Sequence, residues 1–296
     1  MTQAAFSAEW LRLRERFDLA ARARADANAQ RAAHLASWRA AQSGTTLQVL
    51  DLACGLGANL RVLAPRLGGA QRWHLVDHDP ALLAALPAAL ARWSRQQGWR
   101  FAPDGPGYRI EGATWAATVS YEQIDLARDA DSLAFAQGTL VTASALLDLV
   151  SGAWLQPLVR RAHEAGAAMC WALSVDGRTQ WQPADADDDL VQALFGLHQQ
   201  RDKGFGPALG PRAPAEALAL LAAAGYRSTT TRSDWLIAGA RAAPMRRALI
   251  DGVATAALQQ DPSAAQRIRA WQARRSAGVA GSSLRIGHLD ILATPP

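Results

Sequence analysis

Lysine is almost missing from this chain of 296 residues: Lys203 is the only one, and arginine supplies the rest of the 31 basic side chains. The basic residues are scattered among 26 acids, so the formal net charge of +5 forms no stripe of the kind that grips nucleic acid. The arginine excess, set beside abundant alanine, reads as compositional bias. Cysteine is equally scarce. Cys54 and Cys170 both fall in apolar, strand-like settings, where a reduced buried thiol is expected and neither a disulfide framework nor a metal site is. No apolar run approaches the roughly 18 residues a membrane span requires, since Pro87, Arg92 and Gly225 break the Ala/Leu stretches. Glu9, Arg12, Arg14 and Glu15 interrupt the region where an export signal would need an apolar core, so a cytoplasmic chain with no membrane partner is expected.

Glycine and proline are absent before Gly44, and Trp10, Leu11, Leu13, Phe17, Leu19, Leu35 and Trp38 recur among polar residues, which predicts one or two helices ahead of the first strand. Leu47 to Leu52 reads as a buried parallel strand that ends at Cys54-Gly55-Leu56-Gly57 before an amphipathic stretch, Ala58 to Leu67. A second unit follows, with Trp73 to Val76 as strand, Asp77-His78-Asp79-Pro80 as turn and Ala81 to Trp93 as helix. Pro103, Gly105, Pro106 and Gly107 mark a turn or hairpin excursion before a third strand, Ala117 to Ile124; Leu140 to Ala145 and Ala167 to Leu173 read as the fourth and fifth. The alternation predicts an α/β fold with a doubly wound parallel sheet. Beyond Asp176 an insertion is expected, with a helix over Asp187 to His198 and a Gly/Pro loop from Arg201 to Pro211 too flexible in composition for the core. A helix over Ala213 to Ala224, a strand over Tyr226 to Thr231, a helical region from about Pro244 to Ser276 and a last strand over Ser283 to Ala293 complete the reading. The acids Asp185, Asp187, Asp188 and Asp189 most simply complement the positive end of the helix they begin.

The informative segment is Val49-Leu50-Asp51-Leu52-Ala53-Cys54-Gly55-Leu56-Gly57-Ala58-Asn59-Leu60. A strand ending in an acid, then a turn with glycines two apart, lets backbone approach a nucleotide-like ligand while the carboxylate engages a cationic group. Leu60 stands where a dinucleotide fingerprint needs its third glycine, and Asp51 would oppose a pyrophosphate. In this segment the chain resembles the class I S-adenosylmethionine-dependent methyltransferases, whose first motif has an acid, a small residue and two spaced glycines, here Asp51, Ala53, Gly55 and Gly57.

The resemblance implies a mostly parallel, seven-stranded Rossmann-like sheet with an antiparallel last strand, N-terminal helices, a helical insertion near the active site, and S-adenosyl-L-methionine as cofactor. One domain over residues 1–296 is expected: a helical cap (1–44), a cofactor-binding core (45–175), an insertion or lid (176–212) and the rest of the sheet (213–296). It assigns Asp51, Ala53, Gly55 and Gly57 to the cofactor's aminoacyl part, Asp77 to the ribose hydroxyls, His78 and Asp125 to the adenine, and Ser144 to the fourth-strand turn. Any one of the three acids ending successive strands would otherwise cap the following helix. Asp148 stands near where such enzymes often carry histidine; it orients or deprotonates an acceptor, or it caps a helix. Trp154 walls the acceptor pocket or belongs to the core. His198 is the best-placed histidine for a general base, and Lys203 supplies a cation for an anionic acceptor unless its loop is a solvated surface.

The expected activity is methyl transfer to an O, N or C nucleophile of a small molecule, with no metal. The alternative is an RNA methyltransferase or a non-catalytic nucleic-acid-binding protein on the same fold. Against it stands the lack of an appended RNA-binding module and of a basic stripe with interleaved aromatics.

Overall fold

A computed structural model describes residues 8–42 and 44–296; residues 1–7 and 43 of the expected cap lie outside it. Two helices open the chain, α1 (Ala8–Asp26) and α2 (Ala29–Ala41), and then strands and helices alternate: β1 (Leu47–Leu52), α3 (Ala58–Leu67), β2 (Gly69–Asp77), α4 (Pro80–Gln97). The hairpin β3 (Arg100–Asp104) and β4 (Gly107–Glu111) precedes β5 (Trp115–Gln123), the short α5 (Leu126–Asp129), β6 (Leu140–Ser144), α6 (Gly152–Glu164) and β7 (Ala168–Gln182). The remainder comprises α7 (Asp188–Gln199), α8 (Ala213–Ala223), β8 (Arg227–Arg232), β9 (Trp235–Ile237), α9 (Ala243–Gln260), α10 (Ala265–Ala277) and β10 (Ser283–Thr294).

Local chemistry sets these boundaries. Asp79 accepts from the amides of Ala81 and Leu82 at 2.8 and 3.4 Å with Pro80 in the first turn, and Gly98 closes α4 in the left-handed conformation. Ser151 caps α6 through the Trp154 amide at 3.1 Å.

The strands form one sheet in the order β3-β4-β5-β2-β1-β6-β7-β10-β8, with β9 also paired to β10. The pairs joining β5, β2, β1, β6 and β7 are parallel, and β10 runs antiparallel to both β7 and β8. The chain leaves β1 toward β2 and β5, then returns to β6 on the other side, so the winding reverses between β1 and β6. Open α/β sheets bind ligands in the crevice at the carboxyl ends of such strands. Apolar side chains from α3 and α4 cover one face, and those from α6 and α8 cover the other. A third core gathers α1, α7, α9 and α10 around Trp181, Trp235 and Trp271.

The structure departs from the expectations in four places. The seven central strands are present with their antiparallel last strand, but among the described residues the sheet has ten, because the β3–β4 hairpin pairs on β5 and β9 adds to β10. The insertion begins as strand: β7 continues to Gln182 because the first half of β10, Ser283 to Ile286, supplies an antiparallel partner for it. The helical region after Pro244 is two helices, broken at Asp261, whose extended backbone precedes Pro262, as proline demands. The Gly/Pro loop is anchored: Ala208 and Leu209 are buried, Leu209 donates to the Val150 carbonyl at 2.8 Å and Gly210 to that of Asp148 at 3.0 Å. Among the described residues no helix is long and apolar enough to cross a membrane.

Candidate active site

The crevice between β1 and β6 holds the glycine turn. Ala53, Gly55 and Gly57 all take positive φ, of +52°, +54° and +74°. Gly57 requires its missing side chain for packing too: a Cβ there would sit 2.9 Å from Leu86 Cδ1 and 3.1 Å from Leu90 Cδ2 of α4. Gly55 faces the crevice, where a Cβ would lie 3.4 Å from Leu11 Cδ1 on α1. Ala53 holds the left-handed conformation despite its Cβ, at a cost of about 1–2 kcal/mol.

Asp51, the penultimate residue of β1, is 1 % exposed. Its Oδ1 accepts from Asn59 Nδ2 at 2.9 Å, and its buried Oδ2 has no hydrogen-bond partner. Burial pushes this carboxyl up to about 7; the Asn59 hydrogen bond and the Arg22 charge oppose the rise, and the Asp77 carboxylate adds to it. Asp77 ends β2, also buried, and holds the turn: Oδ2 accepts the Gly55 amide at 2.8 Å and Oδ1 that of Asp79 at 3.0 Å. His78 is exposed with Nδ1 3.5 Å from Asp77 Oδ1. Asp125, partly exposed, caps α5 by accepting from the Ala127 amide at 3.0 Å. Ser144, at the end of β6, lines the crevice opposite Asp51.

The residues named for chemistry divide into two groups. Asp148 lies in the turn after β6, with one carboxyl oxygen buried and unpartnered, and burial raises its pKa against the opposing influence of its own backbone amide, Arg14 and Lys203. Lys203 is half-buried, its pKa lowered by burial and by Arg201 and raised by Asp148, and its ammonium donates to the His198 carbonyl at 3.3 Å. Trp154 donates from Nε1 to the Leu126 carbonyl at 2.6 Å and meets Phe205 of the anchored loop edge-on, with centroids 5.3 Å apart. His198, at the end of α7, turns toward α9: its Nε2 is 2.9 Å from Gln259 Oε1, and burial lowers its pKa. The acids before α7 bind α10, with Asp185 and Asp187 on Arg274, Asp187 also on Arg267, and Asp188 on Arg275 and Trp271.

Four residues to which the sequence assigned no role in the site complete it. Arg14, Asp18 and Arg22 project from α1 over the glycine turn, and Asn59, in the first turn of α3, ties Asp51 to Thr142 Oγ1 at 2.7 Å. The fourfold spacing of Arg14, Asp18, Arg22 and Asp26 was the available signal, because residues four apart share a helix face. The space left between α1 and the turn is about 90 Å³, whereas ligand pockets measure roughly 300 Å³ or more. Helix α1 therefore closes over the crevice.

No protein-family model matches the chain, and no curated protein does. Among solved structures it is similar to a cyclopropane-fatty-acyl-phospholipid synthase-like protein from Lactobacillus casei, at 15% identity and a TM-score of 0.50, over 97% of this chain and 93% of that one. It is also similar to an S-adenosylmethionine-dependent methyltransferase from Geobacter sulfurreducens in complex with S-adenosyl-L-homocysteine, at 15% identity and a TM-score of 0.37, over 88% and 90% of the two chains. At such identity the first likeness is one of fold. With its winding reversal between β1 and β6 and its antiparallel β10, the chain has a Rossmann-like methyltransferase fold.

Proposed function

We propose that this chain is a cytoplasmic S-adenosylmethionine-dependent methyltransferase that transfers a methyl group to an O, N or C nucleophile of a small-molecule acceptor. The observation that carries the reading is Asp51: a buried carboxylate oxygen with no partner, at the carboxyl end of the central strand, beside a glycine turn whose residues take positive φ. A buried carboxyl costs free energy unless paired, and an ammonium group placed there satisfies it. The donor set fits the cofactor: Asp51 for the ammonium, the Gly55 turn for close backbone approach, Asp77 and His78 at the next strand end for the ribose and adenine, Asp125 beyond them. The two free, buried cysteines suit a reducing compartment.

When bound, the cofactor supplies a methyl group activated on a sulfonium. The chain's own contribution is positioning and the exclusion of water. Leu11 and Leu56 give the crevice apolar walls, and α1 lies over it. Asp148 is the better candidate to take a proton from the acceptor: its raised pKa brings a carboxyl toward neutrality and Lys203 is close enough to stabilise the anion. His198 faces Gln259 and belongs to the α7–α9 contact. Trp154 and Phe205 would form the acceptor side, between the β6 turn and the anchored loop.

Isothermal titration of the full chain with S-adenosylmethionine and S-adenosylhomocysteine tests the proposal. Micromolar binding is expected, abolished in Gly55→Arg and weakened at least tenfold in Asp77→Ala. A folded wild-type chain that binds neither ligand would rule the reading out.

A further inference from the structure

Two opposite charges are buried beside the glycine turn and kept apart. Arg22 is 3 % exposed, yet its guanidinium donates only to a neutral acceptor, Asn59 Oδ1. Among the described residues the neighbouring arginines of this seam have carboxylates: Arg14 binds Asp18 at 2.9 Å, Arg61 binds Glu15, and Arg66 binds Asp26 at 2.8 Å, whereas Arg22 forms no ion pair. Asp51, the nearest strand-end acid, leaves Oδ2 unpartnered. Asn59 stands between them, accepting from Arg22 at one end of its amide and donating to Asp51 Oδ1 at the other, and Thr142 Oγ1 holds it in place. A guanidinium has five N–H donors, and a buried one with a neutral partner is costly unless an anion joins it.

A cation and an anion separated by one amide, both lining the same crevice, complement a ligand that carries an ammonium and a carboxylate on one carbon. We propose that Arg22 is the carboxylate-recognition residue of this site, contributed by α1, so that an α-amino-acid end bridges Arg22 and Asp51 and docks the helix onto its ligand. This inference rests on the methyltransferase reading for the identity of the ligand, and on the charge arrangement for the role of Arg22. A charge-assisted, two-pronged contact of this kind discriminates a carboxylate from its absence by about ten- to a hundredfold in affinity.

The test compares S-adenosylhomocysteine with its decarboxylated analogue, which keeps the adenosine, the thioether and the amine, by isothermal titration of the full chain and of Arg22→Gln and Arg22→Lys. The wild type is expected to prefer the carboxylate-bearing ligand by about ten- to a hundredfold. Arg22→Gln should lose that preference, binding the analogue within about threefold of wild type, and Arg22→Lys, which keeps the charge without the fork, should retain part of it. Equal weakening of both ligands in Arg22→Gln would assign Arg22 a structural role and overturn the inference, as would a preference that survives the substitution. Should Arg22→Gln not fold, an Arg22→Lys preference equal to that of the wild type overturns it, as does a wild type with no preference. If the wild type binds neither ligand, the methyltransferase reading fails first.

Discussion

Helices α1 and α3 flank the same glycine turn and are held by different forces. The ten residues of α3 bury Leu60, Leu63, Ala64 and Leu67 against the sheet, where about 25 cal/mol per Å² of apolar area holds them without regard to salt or pH. The nineteen residues of α1 bury Phe17, Ala21 and Ala25 on one side, but the side facing the turn is the run Arg14, Asp18, Arg22, Asp26. Apart from Leu11, which packs against the Leu56 cluster, its contacts are ion pairs and hydrogen bonds: Arg14 with Asp18, Glu15 with Arg61, Arg22 with Asn59, Asp26 with Arg31 and Arg66. An apolar seam is permanent, whereas a charged one is exchangeable, because water or a ligand can replace each partner. The fixed helix carries the turn and the exchangeable helix covers it.

The comparison breaks first at Leu60. Leu60→Ala, at a fully buried position, should destabilise the chain by about 2–5 kcal/mol in urea unfolding, with the loss unchanged between low and high salt. A cost below about 1 kcal/mol would mean that α3 is not apolar-anchored.

The second effect concerns pH. The folded-state pKa of Asp51, about 7, lies above the unfolded value, so the folded chain binds more protons between them. Stability from this group is complete below about pH 4 and is lost as pH rises through about 7. Asp51→Asn should therefore stabilise the ligand-free chain at pH 8, by on the order of 2–4 kcal/mol at most, and flatten its stability between pH 4 and 7. Binding of an ammonium-bearing ligand should release the Asp51 proton below pH 7, seen as a binding enthalpy that varies with the buffer's ionisation heat.

A smaller effect sharpens the contrast directly. Raising sodium chloride from about 0.05 to 1 M shortens the screening length from over 10 Å to about 3 Å. Amide exchange in α1 should then quicken severalfold while that in α3 stays unchanged. Exchange rising equally in both helices would place them in one cooperative unit. Last, Ala53→Gly relieves a left-handed alanine at the price of a freer unfolded chain, so a net gain of up to about 1 kcal/mol in thermal unfolding is expected.

Much of the glycine-turn edge of the sheet was legible because its signals are local. An apolar run ending in Asp51, spaced glycines and Asp77 before a capped Pro80 helix are all read within a few residues, and the structure places these elements along one sheet edge. The part of the chain beyond β7 was less legible. His198 attracted attention by the ordinary pKa of histidine, a property blind to position, and the packing of α7 on α9 turns it toward Gln259. The acids at 185–189 looked like complements to a helix dipole, while their arginine partners Arg267, Arg274 and Arg275 lie some eighty residues on. A Gly/Pro loop looked solvated because composition does not reveal that Leu209 fills a core position.

The amino-acid sequence by itself determined the alternation of strands and helices, the strand-end acids and the glycine turn, since these follow from periodicity, capping and backbone freedom within short segments. Only the tertiary structure decided that a charged face of α1 points inward. Charges four apart on a helix default to solvent, and what overrides the default is a set of partners, Asn59, Arg61 and Arg66 on α3, that chain folding brings beneath them.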